Sequence, residues 1–272
     1  MKNKLSILIM LLFAGNMNIS AQSASVSPSR LYFKAAPGET KKQTVHVINN
    51  STVSQSYNIT FGDFSAEGTN GKSQLMAAGE SEHSVSKYMS ASPAFFELAP
   101  GKDLDVQINI DLPNLPEANR VKWGTLMLKI VKERTAANSS GTDGVGMGLV
   151  ETFQFVVHIF QTPPSVTLKQ AEILTFKEIE AADSAMRTLS MLTKNTGEAI
   201  LDCATYLEFS NLKSGEEIKT KPSAFTLLPE GSREIKFPVP ADLPKGKYTV
   251  TAVIDFGSKD DVQAAQMDIE VQ

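Results

Sequence analysis

From about residue 24 onward, apolar and polar residues alternate in short runs, the period of a strand with one face buried and one wet. The alternation predicts strands over Thr44–Ile48, Tyr57–Phe61, Leu104–Ile110, Thr125–Val131, Phe153–Phe160, Leu189–Leu192, Ile235–Val239 and Tyr248–Phe256. Leu201, Cys203, Thr205, Leu207 and Phe209 fall on one face of a further strand. Turn-forming residues stand between the runs: Pro37-Gly38, Asn49-Asn50-Ser51, Pro100-Gly101, Asn195-Thr196-Gly197, Pro229-Glu230-Gly231 and Pro244-Lys245-Gly246. The helix-like stretch, Phe176 to Met186, reads as a loop or a short helical turn. Arg134 to Gly148 carries Ala, Asn, Ser, Gly, Thr and Asp without periodicity, and reads as a long loop between two strands, either functional or a passive hairpin tip. Many short strands at such spacing predict an all-β fold of two immunoglobulin-like β-sandwich domains in tandem.

The boundary is expected at Pro163-Pro164, where two prolines end the preceding strand and stiffen the link. Each side repeats one order of events. A strand ends in an Asn turn (Val45 to Asn50, Leu189 to Asn195), a Pro turn feeds a strand (from Pro100, from Pro229), and a Leu-Pro turn precedes a long strand (Leu115-Pro116, Leu243-Pro244). The expected domains are 22–162 and 163–272.

Residues 1–21 read as a signal peptide. Lys2 and Lys4 precede an apolar run from Leu5 to Ala14, and Ala21 offers a cleavage point. That run is too short to span a bilayer, and no later stretch reaches the length of a span. The expected location is the periplasm, or the cell surface beyond it. Without the leader the 26 Lys and Arg fall to 24 against 30 Asp and Glu, a balance that argues against nucleic acid as a partner. Cys203 stands alone, so no internal disulfide forms, and it reads as a buried structural thiol.

Catalytic chemistry finds no foothold. His46, His83 and His158 have no metal-ligand spacing to one another or to Cys203. Gly144-Val145-Gly146-Met147-Gly148 lies between strands and opens no helix, so it is no phosphate loop. The chain is expected to be non-enzymatic and to need no cofactor or metal.

Ser29-Arg30-Leu31-Tyr32-Phe33, Val45 to Asn50, Ser92 to Gly101, Leu115-Pro116-Glu117 with Arg120, and Val157-His158-Ile159-Phe160-Gln161-Thr162-Pro163 follow one another in order. This succession resembles the PapD-like periplasmic pilus chaperones over most of residues 24 to 165. The resemblance implies a binding protein whose last first-domain strand lends an edge and alternating side chains to another exported, pilin-like protein. It also implies a basic pair in the cleft that anchors the partner's terminal carboxylate.

Arg30 falls at the first anchor, and His158 stands where the family has a lysine. A histidine is mostly neutral at pH 7. The donor positions fall at Leu149, Glu151 and Phe153, with the charge of Glu151 interrupting the apolar run. Phe153, Phe155, Val157 and Ile159 form a core face, yet Val156 and Phe160 on the other face are apolar too. That second face must meet the second domain or a partner. The expected partner-binding residues are therefore Arg30, His158, Leu149, Phe153, Val156 and Phe160. The other reading is a structural component of a surface or secretion assembly, with the sandwiches as spacers.

Overall fold

The computed structural model describes residues 23–131, 154–179, 187–259 and 261–272, and nearly all of its regular structure is β. The first sandwich begins with β1 (Ala24–Ser27) and β2 (Arg30–Phe33). Pro28 lies between them, and the chain changes sheets there. β3 (Thr40–Asn49), β4 (Gln55–Glu67), β5 (Lys72–Met76), β6 (Met89–Ser92) and β7 (Phe95–Leu98) follow, then β8 (Asp103–Asp111), β9 (Lys122–Val131) and β10 (Gln154–Gln161). One sheet has the order β1-β3-β8-β6. The facing sheet has the order β2-β10-β9-β4-β5, with β7 also on β4.

Between these sheets lies a core that includes Leu31, Phe33, Val45, Val47, Tyr57, Ile108, Leu126, Leu128, Val157 and Ile159, all at most 2 % exposed. These are the alternate positions of their strands, which is why the period-two pattern was visible. Cutting one of the Leu or Ile side chains to Ala costs about 2–5 kcal/mol, since removed contacts and a cavity add together. Tyr57 keeps its hydroxyl satisfied from within this core by donating to Gln55 Oε1 at 2.8 Å.

The second sandwich uses β11 (Ala171–Ile179), β12 (Thr188–Asn195), β13 (Leu201–Asn211), β14 (Glu217–Lys219), β15 (Ser223–Leu227), β16 (Ser232–Pro238), β17 (Gly246–Asp255) and β18 (Gln263–Val271). Its sheets are β11-β12-β16 and β14-β13-β17-β18, with β15 on β13. Its core includes Leu189, Met191, Leu207, Phe209, Tyr248, Val250 and Ile254.

One expectation needs correcting here. Phe176 to Ile179 belongs to β11 and is neither loop nor helix. The pairing of β11 with β12 slips between Ile173 and Thr175, so the residue between them is extra. The half-buried side chains then fall at Ile173, Phe176 and Ile179, a spacing of three that imitates a helix. The loop expected at Arg134 to Gly148 lies outside the described residues, as does the leader.

Two equivalent asparagines close the early turns. Asn49 and Asn195, both fully buried, end β3 and β12. Asn49 Nδ2 donates to the carbonyls of Val53 and Leu98, and its Oδ1 accepts from the Ser51 N–H. Asn195 Nδ2 donates to the carbonyls of Ala199 and Leu227, and its Oδ1 accepts from the Gly197 N–H. The same atoms do the same work four residues on and across the sandwich, so the repeat read in the sequence is a repeat of hydrogen bonding.

A small third core joins the sandwiches. Phe64, Val121, Trp123 and Phe160 from the first meet Leu228 from the second, with Val166 and Ile200 against them. Trp123 stacks on His83 with ring centroids 4.0 Å apart and donates its indole N–H to the Phe64 carbonyl at 2.9 Å. The loop carrying His83 is held by Asp63. This buried carboxylate accepts from the Gly79 and Ser81 N–H groups and from the Ser84 and Ser86 hydroxyls. A carboxylate taken out of water survives only with its lone pairs filled, and here four donors fill them.

Candidate partner site at the junction of the sandwiches

β2 and β10 run parallel, with His158 beside Arg30, Ile159 beside Leu31 and Phe160 beside Tyr32. Ile159 and Leu31 point into the first core. Period two therefore turns Arg30, His158 and Phe160 to the opposite face, toward the second sandwich. There Arg30 and His158 line one cavity of about 270 Å³ with Phe64, Ser73, Phe225, Thr226 and Arg233.

Arg30 Nη1 donates to Thr226 Oγ1 at 2.9 Å, across the junction. Thr226 in turn donates to Asp202 Oδ1 at 3.2 Å, and the Tyr32 hydroxyl reaches the same oxygen at 3.5 Å. The His158 ring meets Phe64 edge-on at 4.9 Å, and its Nε2 lies 3.3 Å from Ser73 Oγ. Burial first, and the neighbouring Arg30 charge second, push the His158 pKa below its ordinary 6.5. The imidazole is therefore neutral at pH 7, and the fixed charge on this wall belongs to Arg30.

The remaining sequence-predicted positions separate. Phe160 is 4 % exposed, packed in the inter-sandwich core and stacked on Tyr32 at 5.3 Å. Its side chain docks one sandwich on the other and also lines the cavity beside His158. Val156 is half-buried on the same outward face, one step of the pleat from His158. Leu149, Glu151 and Phe153 lie outside the described residues.

β10 is unequally flanked. β9 pairs with its whole length, from Gln154 opposite Lys129 to Gln161 opposite Lys122. β2 pairs with the other side only from His158 to Gln161. Among the described residues no strand pairs with that side of Gln154–Val157 as it approaches the cavity.

Phe64, Ser73, Phe225, Thr226 and Arg233 escaped the sequence reading. Phe64 lies past the end of the predicted Tyr57–Phe61 strand, and Ser73 lies on β5, whose sequence carries no alternation. Phe225, Thr226 and Arg233 come from the other sandwich, and only the docking of the two brings them near Arg30.

Cys203 is buried in the second core, and burial, followed by Asp202 and Asp255, pushes its thiol pKa up to about 12. Such a thiol stays protonated and is no nucleophile. Among the described residues no group of three or more His, Cys, Asp and Glu is placed to hold a metal ion. No described helix is long and apolar enough to cross a membrane.

No family model and no curated protein matches the chain. Solved structures do. A chaperone–tip adhesin complex of CFA/I fimbriae biogenesis aligns at 12 % identity, covering 91 % of this chain and 98 % of that one, with a TM-score of 0.48. The CsuC–CsuE chaperone–tip adhesion subunit complex of archaic Csu pili of Acinetobacter baumannii aligns at 10 %, covering 89 % and 98 %, with a TM-score of 0.47. The E. coli chaperone DraB aligns at 16 %, covering 92 % and 98 %, with a TM-score of 0.44. The chain is similar, along nine-tenths of its length and at low identity, to PapD-like fimbrial chaperones.

Proposed function

We propose that this chain is an exported, chaperone-like binding protein that holds another exported protein by adding a strand to β10, with the partner's terminal carboxylate anchored at Arg30. The observation that carries this reading is the side of Gln154–Val157 that no described strand pairs with, leading into a cavity walled by an arginine. A partner strand on that edge would gain backbone hydrogen bonds, while the cavity at its end fixes the register. His158 serves as a neutral wall beside the anchor. Leu149 and Phe153, outside the described residues, and Val156 are further proposed partner positions, while Phe160 both docks the sandwiches and lines the cavity. The reading includes removal of residues 1–21 on export to the periplasm and a domain division at Pro163.

Arg30→Ala tests it. A hydrogen bond to a charged group is worth about 1.5–3 kcal/mol. Affinity for the protein that co-purifies from the periplasm is expected to fall at least tenfold by titration, with melting of the free protein little changed. Unaltered affinity would favour the reading in which the sandwiches are spacers of a surface or secretion assembly.

A further inference from the structure

The cavity holds a second guanidinium. Arg233, near the start of β16, lines it together with Arg30. The two side chains are exchanged between the sandwiches. Arg30 comes from the first and donates to Thr226 of the second. Arg233 comes from the second and is seated on the first, against Gly71, where an added Cβ would overlap its guanidinium. The Phe225 ring backs it at 5.4 Å, and the adjacent Glu234 N–H donates to the Thr69 carbonyl at 2.8 Å. Arg233 is therefore held in place by its own backbone stitch and by a neighbour with no side chain.

Neither arginine forms an ion pair with a described residue. No Asp or Glu lines the cavity among the described residues. Asp202 lies behind Thr226 and opens onto the opposite side of the junction. Two like charges facing one partly desolvated space repel, and a shared anion relieves them. The rest of the wall mixes apolar side chains, from Phe64, Phe160, Phe225, Leu227 and Leu228, with the polar ones of Ser73, Thr226 and Ser232. A carboxylate at the end of an apolar segment matches that mixture, since its two oxygens can each meet a guanidinium fork.

We infer that Arg233 is the second cation of the carboxylate site, so that an occupied cleft is tied shut across both sandwiches. The inference rests on the carboxylate reading of Arg30 and adds a partner for it from the second sandwich. It supplies from that side the charge that His158 does not carry.

The test uses the full chain without its leader and two probes: an acetylated hexapeptide of alternating valine and serine with a free carboxylate, and the same peptide as its amide. The wild type is expected to bind the acid at least tenfold more tightly than the amide. Arg233→Gln and Arg30→Gln are each expected to remove most of that preference by weakening binding of the acid. Arg233→Lys retains part of it, which separates lost charge from a damaged junction. Full preference in Arg233→Gln alongside its loss in Arg30→Gln would overturn this inference and leave the Arg30 reading standing. Equal binding of acid and amide by the wild type, or no binding of either, would overturn both. Tighter binding of inorganic phosphate than of the free-acid peptide would overturn the choice of a carboxylate.

Discussion

His158 couples the junction to pH. Its folded-state pKa lies below the ordinary 6.5 because burial and Arg30 oppose the charged ring. As pH falls below 6.5, the unfolded chain takes up the proton before the folded one does. Stability present above pH 6.5 is therefore lost as pH falls toward the depressed folded value, with a slope of at most one proton. The groups around the ring are Arg30, Ser73, Phe64 and Phe160, and none offers a carboxylate to rescue the charge. Urea midpoints measured from pH 7.5 to about 5 should fall for the wild type, and His158→Gln should remove that part of the slope. An anion bound beside Arg30 would favour the imidazolium, so the free-acid peptide should flatten the wild-type slope as well. A slope identical in wild type and variant would place the titrating group elsewhere.

At the level of elements, the paired asparagines give the clearest expectation. Replacing Asn49 by Ala strands the buried Leu98 carbonyl and a turn N–H, and replacing Asn195 strands two buried carbonyls and a turn N–H, a loss of about 2–3 kcal/mol at either site. Equilibrium urea unfolding would show it, and a large effect at one asparagine with none at the other would break the equivalence.

These turns were legible because an Asn followed by small polar residues has a local backbone reason to be there. β3, β8, β13 and β17 were legible because each alternates a core-facing side with a more exposed one, and β9 because Leu126, Leu128 and Ile130 keep the period in its second half. β5 and β14 left no pattern, since neither has a buried face to set the period. β11 misled because a bulge changed its period. Part of the candidate site followed the same logic. Arg30 and His158 sit on strands and carried a family resemblance, so the sequence could nominate them. The apolar residues on both faces of β10 correctly demanded a cover, but nothing in the pattern decided whether the second sandwich or a partner supplies it. Arg233 follows a turn and has no periodic signature, and only tertiary docking gives it a role.

The molecule as a whole is two well-filled sandwiches meeting over a thin contact. Each core collects about twenty buried side chains, while the shared one collects five. The free-energy cost of separating the sandwiches is therefore far below that of unfolding either one. Trp123 is the only tryptophan in the chain and sits in that shared core, against His83. The one indole thus lies at the junction, while the two bodies carry only tyrosines in their cores, Tyr57 and Tyr248. Its emission should sit at short wavelength in the resting protein and move to longer wavelength as soon as the junction wets. In a urea titration the colour change should come at lower denaturant than the loss of far-ultraviolet β signal, and coincident curves would mean that junction and bodies give way together. The free-acid peptide should push the optical transition toward the circular-dichroism one, which makes unlabelled protein its own gauge of whether the cleft is filled.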